Sequence, residues 1–222
     1  MAPGPGNRRR RRGSSAVALA TAAVAALSLT GCADILETTF GALYDRTDVG
    51  ELKGRIIVQW IEQDKFEFVP DPADPLIFKR RNGETIQPMR MFTDGGSVPP
   101  ALRAIKSYSP WGYAPAFIVH DWLFVMKQCN LPGNDQYDVD KAATIMAEAM
   151  KTVMENPKFG GPKKLVHYSM YEAVRSRAAH EYWNSGKCDM PAGRTRAATR
   201  GRAMAPAAPP RTDLPRFVIS FP

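Results

Sequence analysis

The stretch PAFIVHDWLFVMKQ, residues 115–128, decides how the rest of the chain is interpreted. An apolar run of this length that begins at a proline is typical of a buried helix. It carries His120 and Asp121 side by side at its centre, and burying ionisable side chains without partners is costly. Helical neighbours do not face each other. We therefore expect His120 and Asp121 to find separate partners on other segments.

Few acidic partners are available nearby in the sequence. Asp94 lies in the loop TDGGSVPP, residues 93–100, and Asp138 and Asp140 open the next predicted helix. Glycines permit backbone angles that other residues avoid, and Ser97 is a candidate helix N-cap.

Purely structural roles are equally open for the same residues. His120 can be a neutral core histidine, and Asp121 can anchor the glycine loop by accepting its backbone N–H groups. Asp94 can shape a turn, and acids such as Asp138 and Asp140 stabilise a helix N-terminus. The other two histidines, His167 and His180, are expected on a solvated or partly buried face.

The remaining periodicity indicates an α+β fold. Runs rich in β-branched and aromatic residues, separated by turn signals, predict antiparallel strands at 55–61, 65–70, 75–80 and 84–92. Helical patterns predict helices at 101–106, 115–128, 139–155 and 164–182. The expected architecture is a small antiparallel β-sheet followed by a bundle of three to four helices.

Residues 1–31 have the layout of a bacterial export signal. Five arginines at 8–12 precede an apolar core at 16–29 that is shorter than the roughly 20 residues of a membrane-spanning helix. The following LTGC resembles the lipobox of bacterial lipoproteins, which implies acylation of Cys32. Two or more acyl chains hold a protein stably on a membrane. We expect an exported, membrane-anchored lipoprotein of the cell envelope; an ordinary buried cysteine is the alternative.

The formal charge of +8 comes from the two ends of the chain. Residues 1–31 hold five basic residues and no acid, and residues 191–222 hold six basic and one acidic residue. Residues 32–190 keep 19 basic and 21 acidic residues, a net charge of −2. Nucleic acid is therefore not expected as a partner of the folded part.

Composition divides the mature chain into three parts. Residues 32–53 are predicted to be a tether, 54–188 the folded domain, and 189–222 a disordered Ala/Pro/Arg-rich tail. A short docking strand at 217–221 is the alternative for the end of the tail.

Cys129 and Cys188 remain once Cys32 is assigned to the anchor. Outside the cytoplasm such a pair is a candidate disulfide. Two unpaired buried thiols are the alternative, because sequence alone does not give their distance.

Several of these motifs together resemble a bacterial and phage family, domain of unknown function 1353. They are TDGGSVP, then PWGYAPAFIVHDWLF, then an acidic residue opening an Ala- and Met-rich helix, over roughly 50–180. The chain departs from the family pattern in having Phe124 where members have tyrosine and Ala143 where they often carry an aspartate. The resemblance implies a shared loop and helix core that includes Thr93 and Ser97, without an activity.

A second similarity is to the His-Asp region of secreted phospholipase A2. It implies His120 as general base on a water, with Asp140 fixing its tautomer. It also implies a calcium ion held by Asp121 and by the loop residues Asp94, Gly95 and Gly96. The phospholipase cysteines that flank the histidine are absent here.

Two functions follow from these patterns. The first is a non-catalytic envelope module that uses the loop and helix as a structural or ligand-binding core. The second is a calcium-dependent hydrolase, which requires His120 and Asp121 to open onto a cleft. A serine hydrolase is not expected because Ser97 lies outside a G-x-S-x-G motif. Three histidines without H-x-x-x-H spacing also disfavour a zinc peptidase.

Overall fold

The computed structural model describes residues 1, 38, 40–95, 108, 110–191 and 216–221. The predicted signal peptide, Cys32, Gly96, Ser97, the helix predicted at 101–106 and residues 192–215 of the tail lie outside this part of the chain.

The sheet is antiparallel throughout and is organised around one long strand. Its strands are β1 (Glu51–Glu62), β2 (Lys65–Phe68), β3 (Ile77–Lys79), β4 (Thr85–Ile86), β5 (Met91–Thr93) and β6 (Arg216–Phe221). The order is β4-β3-β1-β2-β5, and β6 also pairs with β1. The predicted strand at 84–92 is thus two strands, since Pro88 between them lacks a donor for the ladder.

Four helices follow the sheet: α1 (Ala114–Gln128), α2 (Val139–Glu155), α3 (Lys164–Val174) and α4 (Arg177–Trp183). Asp138 caps α2 by accepting the backbone N–H of Lys141 at 2.7 Å. The single helix predicted at 164–182 is interrupted before α4, where Ser176 accepts the N–H of Ala179 at 3.4 Å. The predicted α+β class is confirmed.

The core lies where α1 and α2 pack on each other and on the sheet. Residues of all these elements are fully buried, among them Ile56, Phe68, Phe78, Met91, Ile118, Leu123, Ile145 and Met150. This packing places one face of α1 in contact with β5.

Part of the predicted tether is folded. Residues 40–46 are helical, and Leu43 and Tyr44 are buried. Lys151 of α2 donates to the carbonyls of Tyr44 at 2.7 Å and Thr47 at 2.9 Å, close to the end of this helix. The polar composition of this segment concealed two buried residues, of which Tyr44 contacts α2 through Lys151 and Glu155.

The C-terminal strand also differs from the disorder predicted for 189–222. β6 pairs with β1 residue by residue, from Gly54 opposite Phe221 to Gln59 opposite Arg216. This pairing corresponds to the alternative of a docking strand. Its β-branched and aromatic residues suit a strand.

Cys129 and Cys188 form a disulfide, with their Cα atoms 4.6 Å apart. The bond ties the end of α1 to the segment after α4. Within the part of the chain that the structure describes, no helix is both long and apolar enough to cross a membrane.

Candidate functional site

The candidate site lies where β5 ends beside the middle of α1. Helix α1 is buried from Ala114 to His120 and again from Trp122 to Val125. Asp121 is the position in this run that keeps partial access to solvent, with 21% of its side chain exposed. The candidate site thus lies at a partly exposed position within an otherwise buried stretch of α1.

Asp121 binds the glycine loop through a threonine. The Thr93 hydroxyl donates to Asp121 Oδ2 at 2.6 Å, and the same hydroxyl oxygen accepts the N–H of Gly95 at 3.0 Å. One alternative from the sequence was that Asp121 accepts backbone N–H groups of the loop directly. Instead Thr93 relays the bond, because its side chain can both donate and accept.

His120 and Asp121 do approach each other, contrary to the expectation that they have separate partners. His120 Nδ1 lies 3.7 Å from Asp121 Oδ1. This distance is too long for a hydrogen bond, but it places a carboxylate beside the ring. The bond from Thr93 holds Asp121 Oδ2, so the second oxygen turns towards the histidine despite the divergence of helical neighbours.

The other nitrogen of the His120 ring has no partner among the described residues. Its Nε2 is buried and makes no hydrogen bond, although His120 is only 8% exposed. The ring packs against Phe124 with centroids 4.8 Å apart. Buried polar atoms are normally bonded, so an unbonded one indicates a missing partner.

His120 and Asp121 both line a cleft of about 590 Å³. Thr93 and Asp94 line the same polar part of the cleft. Apolar side chains of all four helices form the remaining wall, among them Phe117, Phe124, Met146, Met170, Ala179 and Tyr182. A volume of this size falls in the range of small-molecule sites.

Asp140 is not part of this cleft. Its side chain is 59% exposed, and Arg175 Nε donates to its Oδ1 at 2.7 Å. Met146, nearly two turns further along α2, lines the cleft instead. The structure therefore does not bring Asp140 to the histidine that it was predicted to orient.

The glycine loop is positioned by an aromatic residue that the sequence did not single out for this role. Gly95 has φ +79°, and a Cβ there would lie 2.8 Å from the ring of Trp111. Trp111 in turn packs edge-on against Phe66 at 4.9 Å. The two motifs TDGG and PWG, separated along the chain, thus meet in one contact.

A second polar cluster joins the sheet to α2. Arg80 donates to both oxygens of Glu148 at 2.6 and 2.7 Å, and to Glu84 at 2.6 Å. Lys141 Nζ lies 3.1 Å from the other Glu84 oxygen. The two carboxylates raise the pKa of Arg80 further, chiefly through the bond to Glu148. Periodicity gives no signal for such a cluster, because its members come from three segments.

His167 is another residue whose environment the sequence did not indicate. It was expected on a solvated or partly buried face, but it is fully buried. Its Nε2 lies 3.0 Å from the carbonyl oxygen of Ala147. Burial lowers its pKa below the usual value. His180, by contrast, is exposed.

The described donors fit a calcium ion poorly. Calcium takes six to eight oxygen ligands, and no group of three or more acidic, histidine or cysteine residues is close enough to hold a metal in the described part of the chain. Asp121 already uses one oxygen to accept the Thr93 hydroxyl. The calcium site stays a prediction, and no chemistry is derived from it.

These features define an α+β protein in which a histidine and an aspartate from a buried helix face a cleft beside a glycine loop. The model of one family, described as "Protein of unknown function (DUF1353)", matches residues 73–174. This segment of the chain is similar to that family, as its motifs predicted. No curated protein and no solved structure matches the chain.

The matched segment contains Thr93, Asp94, His120 and Asp121 but only part of the cleft. Lys65 and Tyr182, which also line the cleft, lie outside it. The polar part of the site thus belongs to the family segment, and flanking segments complete the walls.

Proposed function

We propose that this protein is a lipid-anchored envelope protein whose cleft binds a small ligand. The observation that carries the proposal is the buried, unbonded Nε2 of His120, a residue that lines a cleft of about 590 Å³. A ligand that enters the cleft supplies the partner that the protein lacks. The bonds from Thr93 to Asp121 and from Gly95 to Thr93 hold the polar wall rigid before the ligand arrives, which reduces the entropy cost of binding.

The envelope part of the proposal is supported by sequence order. The arginine run, the short apolar core and LTGC follow one another as in lipoprotein signals. The disulfide between Cys129 and Cys188 suits an oxidising compartment.

Ligand binding is tested with a panel of small molecules that have an apolar body and one polar head. Saturation-transfer NMR on the full chain carrying Cys32→Ser is expected to detect binding by members of the panel. In Ala179→Trp an indole occupies the cleft and binding is lost, whereas Leu165→Trp, at an exposed position outside the cleft, retains it. If no panel member binds, or if Ala179→Trp binds as well as the parent, the proposal is wrong.

Anchoring is tested by labelling bacterial cells with a radioactive fatty acid. The unmodified chain is expected to carry label and to sediment with membranes. Cys32→Ser is expected to lose both. Label retained on the Cys32→Ser variant would exclude acylation at this cysteine.

A hydrolase is the second candidate, favoured by the carboxylate that lies 3.7 Å from His120 Nδ1. In this arrangement Asp121 takes the orienting role that was predicted for Asp140, and Nε2 accepts a proton from water. Phospholipid hydrolysis by the full chain is compared with that by His120→Ala. Equal rates for the two proteins would remove this candidate.

Calcium is tested separately by calorimetric titration of the full chain. Binding that disappears in Asp121→Asn would assign the ion to this site. Absence of binding at millimolar calcium would remove calcium from the hydrolase candidate.

A further inference from the structure

The acceptors in the polar wall outnumber the donors. Oδ1 of Asp121 lies beside Nδ1 of His120. Among the described residues, no lysine or arginine forms an ion pair with Asp121. A carboxylate beside Nδ1 favours the tautomer that carries its proton there, which leaves Nε2 with a lone pair. Oδ1 and Nε2 are then both acceptors. The ligand group that meets them has to be a donor.

The charges along the rest of the cleft are mainly negative. Among the described residues that line it, Asp64 and Asp189 are acidic in addition to Asp121, and Lys65 is basic. Lys65 is paired with Asp189, its Nζ lying 2.9 Å from Oδ2. A cleft lined by one sign of charge with low-dielectric walls concentrates ions of the opposite sign.

Much of the remaining lining is apolar and partly aromatic. Met146 and Met170 adapt to irregular apolar shapes. Phe124 and Tyr182 stack with centroids 5.8 Å apart and add aromatic surface to the lining.

We infer that the cleft binds amines, with the ammonium head beside His120 and Asp121 and an apolar body against the methionines. This inference rests on the proposed ligand binding and specifies its chemistry. An ammonium has three N–H donors and no acceptor. It therefore satisfies both acceptors of the polar wall and the negative charge together, which a hydroxyl or a carboxylate head does not.

The test compares three probes of equal length that differ only in the head: hexylamine, hexan-1-ol and hexanoate. Their dissociation constants are measured by NMR titration of the full chain carrying Cys32→Ser at pH 7.5. Hexylamine is expected to bind at least about tenfold more tightly than hexan-1-ol, a difference of about 1.4 kcal/mol. Hexanoate is expected to bind more weakly than either.

Variants assign the preference to the polar wall. In Asp121→Asn the advantage of hexylamine over hexan-1-ol is expected to disappear while hexan-1-ol still binds. Asp45→Asn makes the same charge change at an exposed position outside the cleft and is expected to leave all three constants unchanged. Asp64→Asn, which removes one charge from the rim, is expected to reduce the advantage only in part.

The binding data distinguish a failure of the amine preference from a failure of ligand binding as such. Equal binding of hexylamine and hexan-1-ol, or tighter binding of hexanoate, overturns the amine preference and leaves a ligand-binding cleft. Binding by none of the three overturns both. An amine preference that survives in Asp121→Asn and Asp64→Asn places the head elsewhere and also overturns the inference.

Discussion

Two polar clusters connect the sheet to the helices, and they differ in how completely their groups are paired. Arg80, Glu148, Glu84 and Lys141 match each charge with an opposite one, although the Glu84 oxygen beside Lys141 makes no hydrogen bond. The second cluster consists of Thr93, Asp121 and His120. Among the described residues no lysine or arginine pairs with its carboxylate, and the buried Nε2 of His120 makes no hydrogen bond. The first cluster is typical of a structural joint between layers. The second has the incomplete pairing that is typical of binding sites.

Burial alone therefore does not identify a functional group. Glu148 is more buried than Asp121, with 8% against 21% of the side chain exposed. What separates the two carboxylates is whether the protein itself supplies a charged partner. Substitutions in each cluster should therefore affect stability to different extents.

Glu148→Ala is expected to have the largest effect. Removing this carboxylate leaves Arg80 buried with only Glu84 beside it, and breaking a buried ion pair costs about 3–5 kcal/mol of unfolding free energy. Urea denaturation measures the loss. The double variant Arg80→Met/Glu148→Leu should recover much of it, because neither charge is then left alone. A loss below about 1 kcal/mol would mean that this cluster does not stabilise the contact between the sheet and α2.

Gly95→Ala is expected to cost about 2–4 kcal/mol, since a left-handed conformation is strained for alanine and the new methyl group meets Trp111 at 2.8 Å. Gly83→Ala is the matched control. It has φ +90° with open space around it, so it should show the backbone strain alone, about 1–2 kcal/mol. Thermal denaturation compares them. Equal losses would show that Trp111 does not position the loop.

Thr93→Val is expected to cost about 1–3 kcal/mol. Valine has the same shape but leaves the Gly95 N–H and an Asp121 oxygen without their partner. Thr93→Ser keeps the hydroxyl and should recover most of the loss in urea denaturation. If valine and serine destabilise equally, the relay through the hydroxyl is unimportant.

His167 is expected to make stability depend on pH. Its pKa is lowered in the folded state, chiefly by burial, whereas the unfolded value is about 6.5. Below pH 6.5 the unfolded chain binds a proton that the folded state excludes. The free energy of unfolding should therefore fall as pH decreases below 6.5, by at most about 1.4 kcal/mol per pH unit from this residue.

Urea denaturation at pH 7.5, 6.5 and 5.5 checks this pH dependence. His167→Gln should flatten it, and His180→Gln, at an exposed histidine, should not. An unchanged slope in His167→Gln would contradict the assignment.

Asp121→Asn is expected to have the smallest effect on stability, below about 1 kcal/mol. The amide oxygen can still accept the Thr93 hydroxyl, and the group is not enclosed by backbone donors. Its melting midpoint compared with that of Glu148→Gln measures the contrast between the clusters directly. A loss from Asp121→Asn as large as that from Glu148→Gln would make the cleft cluster structural.

Local patterns in the sequence predicted the elements whose ends have their own signals. Helix α2 was predicted from Val139 to Glu155, because its apolar residues have helical spacing and Pro157 follows its end. The interruption between α3 and α4 was missed, since Ser176 caps a helix in the middle of a continuous run without glycine or proline. The docking of residues 40–46 was missed because few residues supply its buried surface: Leu43 and Tyr44 are buried, and Phe40 packs on Tyr168.

The sequence predicted which residues belong to the candidate site but not how they are arranged in space. TDGG and HD were recognised as belonging together, and Thr93, Asp94, His120 and Asp121 do line one cleft. The relay from Thr93 to Asp121 spans 28 positions, and the pair of Arg80 with Glu148 spans 68. Contacts at such separations depend on how helices pack on strands, which periodicity along one segment does not encode. The placement of Asp140 failed for the same reason.

The pairing of β6 with β1 has a consequence for the newly made chain. β1 is synthesised early, yet β6, which pairs with one edge of its residues 54–59, does not exist until residue 221 has been added. Until then this edge of β1 presents unpaired backbone groups along a segment that contains Ile56, Ile57 and Val58, and such edges recruit strands from other chains. We therefore expect the unfinished chain to be prone to association through this edge of β1.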